Sequence, residues 1–329
     1  MFGSLLRCSS SKRMAGMAVV TMASQSLPYR TTHAEASEET NDDNDVPHFR
    51  LERNKDKTLF HNQCLERQMY KPKLPYPAWD YNWDGKAVAG ATDFEGHRSG
   101  KACKQKGKTR HIILVRHGQY EETFPEDENR KLTALGRRQA TKTGKRLATW
   151  AKGTETFENP YFNGPCPIVT KIRVSNMTRA KETAELIAKE MPSTIVMDEP
   201  DSLLNEALPS PMIPIRPDIT GAEEEIDANH DRIEEAFQKY IHRTDATAED
   251  DDDGDEFEII VCHGNVIRYF FCRALQLPPE AWLRMSIFNC SLTYLMVRSS
   301  GVVSARMLGD IGHLDYEEST FSGNHGLKW

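Results

Sequence analysis

The sequence predicts one α/β domain over about residues 108–315. Three observations lead there. The continuous apolar run 111–115 (HIILV) and the strongly apolar 257–262 (FEIIVC), together with the shorter 171–175 (KIRVS), read as strands of a largely buried parallel sheet. Segments of helical period follow each of them. Each strand also ends in a polar cluster: Arg116-His117-Gly118, then Ser175 through Arg179, then His263-Gly264-Asn265. Ligands of open parallel sheets bind beyond the carboxyl ends of the strands, so the clusters mark one candidate site.

The remaining elements follow in order. Leu132 and Thr133 open a helical pattern to about Trp150, with Leu135, Gly144, Leu147 and Ala151 on one side and cations on the other. Thr178 is placed to N-cap a second helix carrying Ala180, Ala184, Ile187 and Met191. Residues 194–197 suggest a further strand, and 231–242 a third helix through Ile233, Phe237 and Tyr240. A helix from Asn265 stops near Leu277, because Pro278 and Pro279 cannot continue it. Residues 291–297 and 302–308 read as a strand pair around Gly301.

Outside the domain the composition changes. The chain has 329 residues and a net charge of -7, against the strong positive field of a general nucleic-acid binder. Its seven cysteines lie far apart with no CxxC pair, which argues against a disulfide scaffold or a cysteine zinc site. Residues 1–34 hold arginines, serines and threonines but no acid, the composition of a targeting segment for the mitochondrion; a cytoplasmic protein with a basic tail is the alternative. No run of 18 apolar residues occurs, so no ordinary membrane-spanning helix is predicted, although a short membrane-associating segment stays open. Residues 35–107 read as a flexible arm, acidic at first and later rich in Pro and aromatic residues. The acidic run 249–258 reads as a solvated loop, and 316–329 as a tail.

The strand ends supply Arg116, Arg179, His117 and His263, a small cationic pocket. Arginine forks match phosphate oxygens, and the helices starting near Thr178 and Asn265 aim N–H groups at the same place. Nearby cations favour the neutral imidazole, whose lone pair can take a phosphoryl group.

VRHGQ at 115–119, LTALGRRQA at 132–140, SNMTRAKET at 175–183, LNEA at 204–207 and CHGNVIR at 262–268 resemble the histidine phosphatase superfamily in order and spacing. The resemblance implies a three-layer α/β/α phosphoglycerate mutase-like fold, with a mostly parallel sheet and helices on both faces. It also implies roles. His117 becomes the nucleophile that forms a phosphohistidine. Arg116, Arg179 and His263 bind the phosphate, and His263 also stabilises the developing charge. Glu206 is the general acid, and no metal or other cofactor is needed. LNEA lacks the Arg that follows this Glu in the mutases, which counts against a mutase.

Residues 79–84, WDYNWD, resemble the WDxNWD assembly motif of a mitochondrial branch of the family that acts on phosphoserine and phosphothreonine in proteins. That resemblance implies phosphorylated proteins as substrates, and self-association through Trp79, Asp80, Asn82, Trp83 and Asp84 that activates the enzyme. Two other readings stay open: a small-molecule phosphatase or mutase on the same fold, and a mitochondrial scaffold with a vestigial site.

Overall fold

In a computed structural model, the described residues are 79–87, 108–152, 168–216, 218–244 and 255–321. The targeting segment, most of the arm and the greater part of the acidic run lie outside them.

Strand β1 (Arg110–Arg116) is followed by helix α1 (Ala134–Lys152), β2 (Ile168–Val174), α2 (Thr178–Glu190) and β3 (Val196–Met197). Then come α3 (Ala222–Tyr240), β4 (Glu256–Cys262), α4 (Gly264–Ala274), β5 (Leu292–Val297) and β6 (Val303–Asp310). The six strands form one sheet in the order β3-β2-β4-β1-β5-β6. β3, β2, β4 and β1 run parallel, while β5 and β6 are antiparallel additions at one edge.

The β1 apolar run alternates between two cores, as the strand period of two requires. Ile112 and Leu114 enter one core with Ile233 and Phe237 of α3 and Val266 and Phe270 of α4. Ile113 and Val115 enter the other with Leu147 of α1 and Ala180, Ala184 and Ile187 of α2. Helices thus cover both faces, which is why β1 carries an unbroken apolar run and β4 one interrupted by Glu258, which is buried against Arg110 at 2.6 Å. Each such fully buried Leu or Ile contributes about 1.5–3 kcal/mol relative to leaving it in water.

Two elements differ from the sequence reading. Helix α3 begins well before residue 231, at Ala222. Its first turn holds Glu223, Glu224 and Glu225, which favour a helix N-terminus although they carry no apolar signal. Thr178 is not the N-cap of α2 but its first residue, and Met177 in the cap position offers no side-chain cap. The acceptor comes from Asp127, far away in the chain: its Oδ2 receives the Thr178 N–H at 2.8 Å and the Thr178 hydroxyl at 3.0 Å.

The start of α1 lies directly against the loop after β1. Thr133 N–H donates to the Gln119 carbonyl at 3.0 Å. A Cβ on Gly136 would stand 1.9 Å from that same carbonyl oxygen, so only glycine admits the approach. Among the described residues no helix is long and apolar enough to cross a membrane.

Candidate phosphate site

Register places the candidate residues. β4 lies between β1 and β2, with Arg116 opposite Cys262 and Val174 opposite Val261. His117 and His263 therefore follow at one level, and Ser175 stands one residue earlier, opposite Cys262. His117 N–H donates to the Cys262 carbonyl at 3.0 Å, and Ser175 N–H to the Val261 carbonyl at 3.0 Å. The His117 and His263 rings lie 5.1 Å apart between centroids.

Hydrogen bonds define the state of each ring. His117 Nδ1 lies 2.9 Å from the Gly118 carbonyl oxygen, which can only accept. Nδ1 therefore carries the proton and Nε2 the lone pair. Arg179 Nε–H donates to Nε2 at 3.3 Å. Ser175 Oγ donates to Asn205 Oδ1 at 2.8 Å, an oxygen already receiving the Asn176 N–H at 3.1 Å. With its own proton committed, the Ser175 hydroxyl accepts from His263 Nε2 at 2.8 Å. His263 Nδ1 is buried without a hydrogen-bond partner.

Arg116 and Arg179 are both buried. Arg116 Nη1 donates to the Ile287 carbonyl at 2.5 Å. Arg179 lies over the Tyr120 ring at 4.7 Å, with Nη1 3.2 Å from Asp127 Oδ1 and Nη2 3.2 Å from Met177 Sδ. Glu206 approaches the N-terminus of α4, where its Oε2 receives the Asn265 N–H at 3.4 Å, and its Oε1 is buried without a partner. The structure thus brings Arg116, His117, Arg179, Glu206 and His263 together.

Burial first, then Arg179 and Arg116, hold the His117 pKa well below the ordinary imidazole range. Burial, Arg179 and His117 act on His263 in the same direction. Both rings are neutral at pH 7. Burial and Arg146 also push His313 down to about 4.

The consequence for stability has a definite sign. Above the ordinary value of 6.5 these rings are neutral whether folded or not, and their contribution is fully present. As pH falls below it, the unfolded chain takes up protons that the native protein refuses. Stability is lost until the folded pKa is reached. His313 alone accounts for about 3 kcal/mol between pH 6.5 and 4. The urea midpoint is expected to be clearly lower at pH 5 than at pH 7. An unchanged midpoint would rule out neutral buried histidines.

Further residues support the site beyond those singled out in the sequence. Asn289 Nδ2 donates to the His117 carbonyl at 3.1 Å, and Thr183 Oγ1 receives the Gly118 N–H at 3.0 Å. Arg268, buried one turn into α4, donates to Asn265 Oδ1 at 3.0 Å, and burial and Arg116 lower its pKa to about 10. It sits inside the CHGNVIR motif, where an arginine so close to the strand end was a usable clue.

The tryptophan motif lies on another part of the domain. Asp84 and Arg243 form an ion pair at 2.8 Å, their side chains 2% and 1% exposed. Arg243 also donates to the Tyr81 carbonyl at 2.6 Å. Trp83 Nε1–H donates to the Gly301 carbonyl at 2.8 Å, and its ring tilts against Phe237 at 5.9 Å. Asp80 exchanges two bonds with the Gln276 side chain, its N–H donating at 2.7 Å and its carbonyl accepting at 2.8 Å. Asn82 stabilises the turn itself, accepting the Ala87 N–H at 3.0 Å.

Residues 167–308 match the model of the histidine phosphatase superfamily, branch 1. The chain is 38% identical over 278 residues to the mitochondrial serine/threonine-protein phosphatase Pgam5 of Caenorhabditis briggsae, covering 80% of this chain and 90% of that one. It is 41% identical over 253 residues to PGAM5 of Xenopus tropicalis, covering 73% and 82%. Against human PGAM5 it is 40% identical over 255 residues, covering 74% and 80%. The crystal structure of a phosphoglycerate mutase from Plasmodium falciparum is similar over 66% of this chain and 100% of its own, with 34% identity and a TM-score of 0.41. The chain belongs to the histidine phosphatase superfamily. Its relatives are mitochondrial by name, in agreement with the location expected from residues 1–34.

Proposed function

We propose that this protein is a serine/threonine protein phosphatase that works through a phosphohistidine on His117. One observation carries the chemistry: the Gly118 carbonyl claims the Nδ1 proton and leaves a lone pair on Nε2, which faces the buried Arg179. The substrate class rests on the names of the relatives, which are serine/threonine-protein phosphatases.

In this mechanism Nε2 attacks phosphorus as the P–O bond to the Ser or Thr oxygen breaks. Arg116 and Arg179 hold the equatorial oxygens, and the long Arg179 Nε contact gives way to one of them. A phosphate group arriving as its monoanion brings a proton that passes to His263 Nδ1, which donates it back as a hydrogen bond to the phosphate. Glu206 gives its proton to the departing alkoxide, then takes one from the water that hydrolyses the phosphohistidine. Orienting Nε2 in advance lowers the barrier because no reorganisation remains for the moment of attack.

Residues 79–84 are proposed to drive self-association and thereby raise activity. The support is physical. Trp79 and Trp83 pack on the core that includes Leu204 and Ala207, which bracket the Glu206 segment. An occupied groove stiffens the segment that carries the acid. The same groove is proposed to take the motif of a second copy. We place the activity in mitochondrial quality control or stress signalling.

The experiment is turnover of a phosphothreonine peptide and of 3-phosphoglycerate in excess chelator. Peptide turnover that survives chelation is the expected result. Turnover of phosphoglycerate alone would favour the metabolite reading, and turnover of neither would favour the scaffold.

A further inference from the structure

We infer that residues 319–321 complete the phosphate pocket, with Phe321 a positioning residue that sets the guanidinium of Arg116. The inference rests on the phosphate-binding reading of Arg116. The sequence reading ended the domain at residue 315 and assigned this segment no role.

Phe321 presents its ring to two buried arginines at once, 5.4 Å from the Arg116 guanidinium carbon and 5.8 Å from that of Arg268. Phe288 meets the same ring edge-on at 5.7 Å. Two like charges side by side in a dry site repel each other. The negative face of an aromatic ring is one of the few uncharged groups that attracts both. It does so without occupying the N–H groups that a phosphate needs. A carboxylate in the same place would neutralise the pocket.

The segment is also fastened to the catalytic loop. Thr320 carbonyl accepts the Asn289 N–H at 3.0 Å, and its hydroxyl donates to Asn289 Oδ1 at 3.1 Å. The same hydroxyl accepts from Gln139 Nε2 at 2.8 Å. Asn289 and Gln139 turn their other ends to the residues around the nucleophile. Asn289 Nδ2 donates to the His117 carbonyl at 3.1 Å, and Gln139 Oε1 accepts the Gln119 N–H at 2.9 Å. Both clamps of the loop thus close on Thr320, and Phe321 follows directly.

The test uses the full chain with Phe321→Trp, Phe321→Leu and Phe321→Ala. Binding of inorganic phosphate is measured by calorimetry, and kcat and KM on a phosphothreonine peptide by assay. A melting curve for each variant confirms the fold. Trp keeps a π face, Leu keeps only bulk, and Ala keeps neither. The expected phosphate affinity order is Trp close to wild type, Leu weaker by about 5-fold and Ala by about 10-fold, with KM rising more than kcat falls. Leu binding phosphate as tightly as wild type would show that Phe321 is packing only, and would overturn the inference. Wild-type protein that binds phosphate with this order but turns over no phosphopeptide would remove the protein-phosphatase reading and leave the Phe321 role standing. Wild-type protein that binds no phosphate would remove both.

Discussion

His117→Ala is expected to lower kcat on a phosphothreonine peptide by on the order of 10⁴-fold or more, because losing a nucleophile removes the whole covalent route. The substitution leaves Arg116, Arg179 and His263 in place, so phosphate binding should change far less than turnover. Rapid acid-free quenching of wild-type enzyme with labelled substrate should trap label on protein that is stable in alkali and lost in acid, the behaviour of a phosphorus–nitrogen bond. His117→Ala should trap none. Glu206→Gln gives the complementary result. Turnover of a phosphothreonine peptide, with its poor leaving group, should fall by about 10²–10⁴-fold. An aryl phosphate whose phenolate leaves unaided should still transfer its phosphoryl group and release a burst. Label remaining on His117→Ala protein would place the nucleophile elsewhere.

The second large effect is expected at the tryptophan motif. Asp84 is the counter-ion of a guanidinium that is itself 1% exposed. Asp84→Ala leaves Arg243 buried and uncompensated, a change that costs about 3–5 kcal/mol in comparable pairs. That far exceeds an exposed pair, and it matches or exceeds the three hydrogen bonds that also hold the motif, one from Trp83 to Gly301 and two between Asp80 and Gln276, at about 1 kcal/mol each. The hold of the motif on its groove, which then rests on those bonds and on the packing of Trp79 and Trp83, should therefore be strongly weakened. Light scattering should report smaller particles than wild type, and activity should fall with them. Particles of unchanged size would sink the proposed self-association. Asp84→Asn tests the same point at constant shape.

The sequence carried the parts of this molecule whose physics is local. The β1 and β4 runs announced themselves because both sheet faces are covered, and the residues after them were legible because glycine and charge interrupt an apolar run abruptly. The cationic pocket could be assembled in advance because strand register is the sole extra step needed to bring His117 and His263 together. What stayed illegible depends on contacts across the chain. Asp127 sits in a loop of acids indistinguishable from a solvated one, yet it caps α2 and pairs with Arg179. Asn289 and Thr320 have no periodicity or motif, because their value lies in bridging two segments distant in sequence. Met177 took the cap position that Thr178 was expected to fill, since a carboxylate from another loop outcompetes a local hydroxyl.

The carbonyl that holds the His117 ring belongs to the adjacent residue of the main chain. A side chain that orients an imidazole can be lost by one codon change, as happens when an aspartate partner becomes asparagine. A main-chain oxygen cannot be mutated away. The protonation pattern of the His117 ring is therefore insulated from drift at neighbouring positions. Evolution, or an engineer, can change the side chains around it without resetting which ring nitrogen holds the lone pair. The same feature limits control: anything that switches this ring off must bend the backbone at 117–118, and the groups tied to that stretch are the handles through which it can be bent.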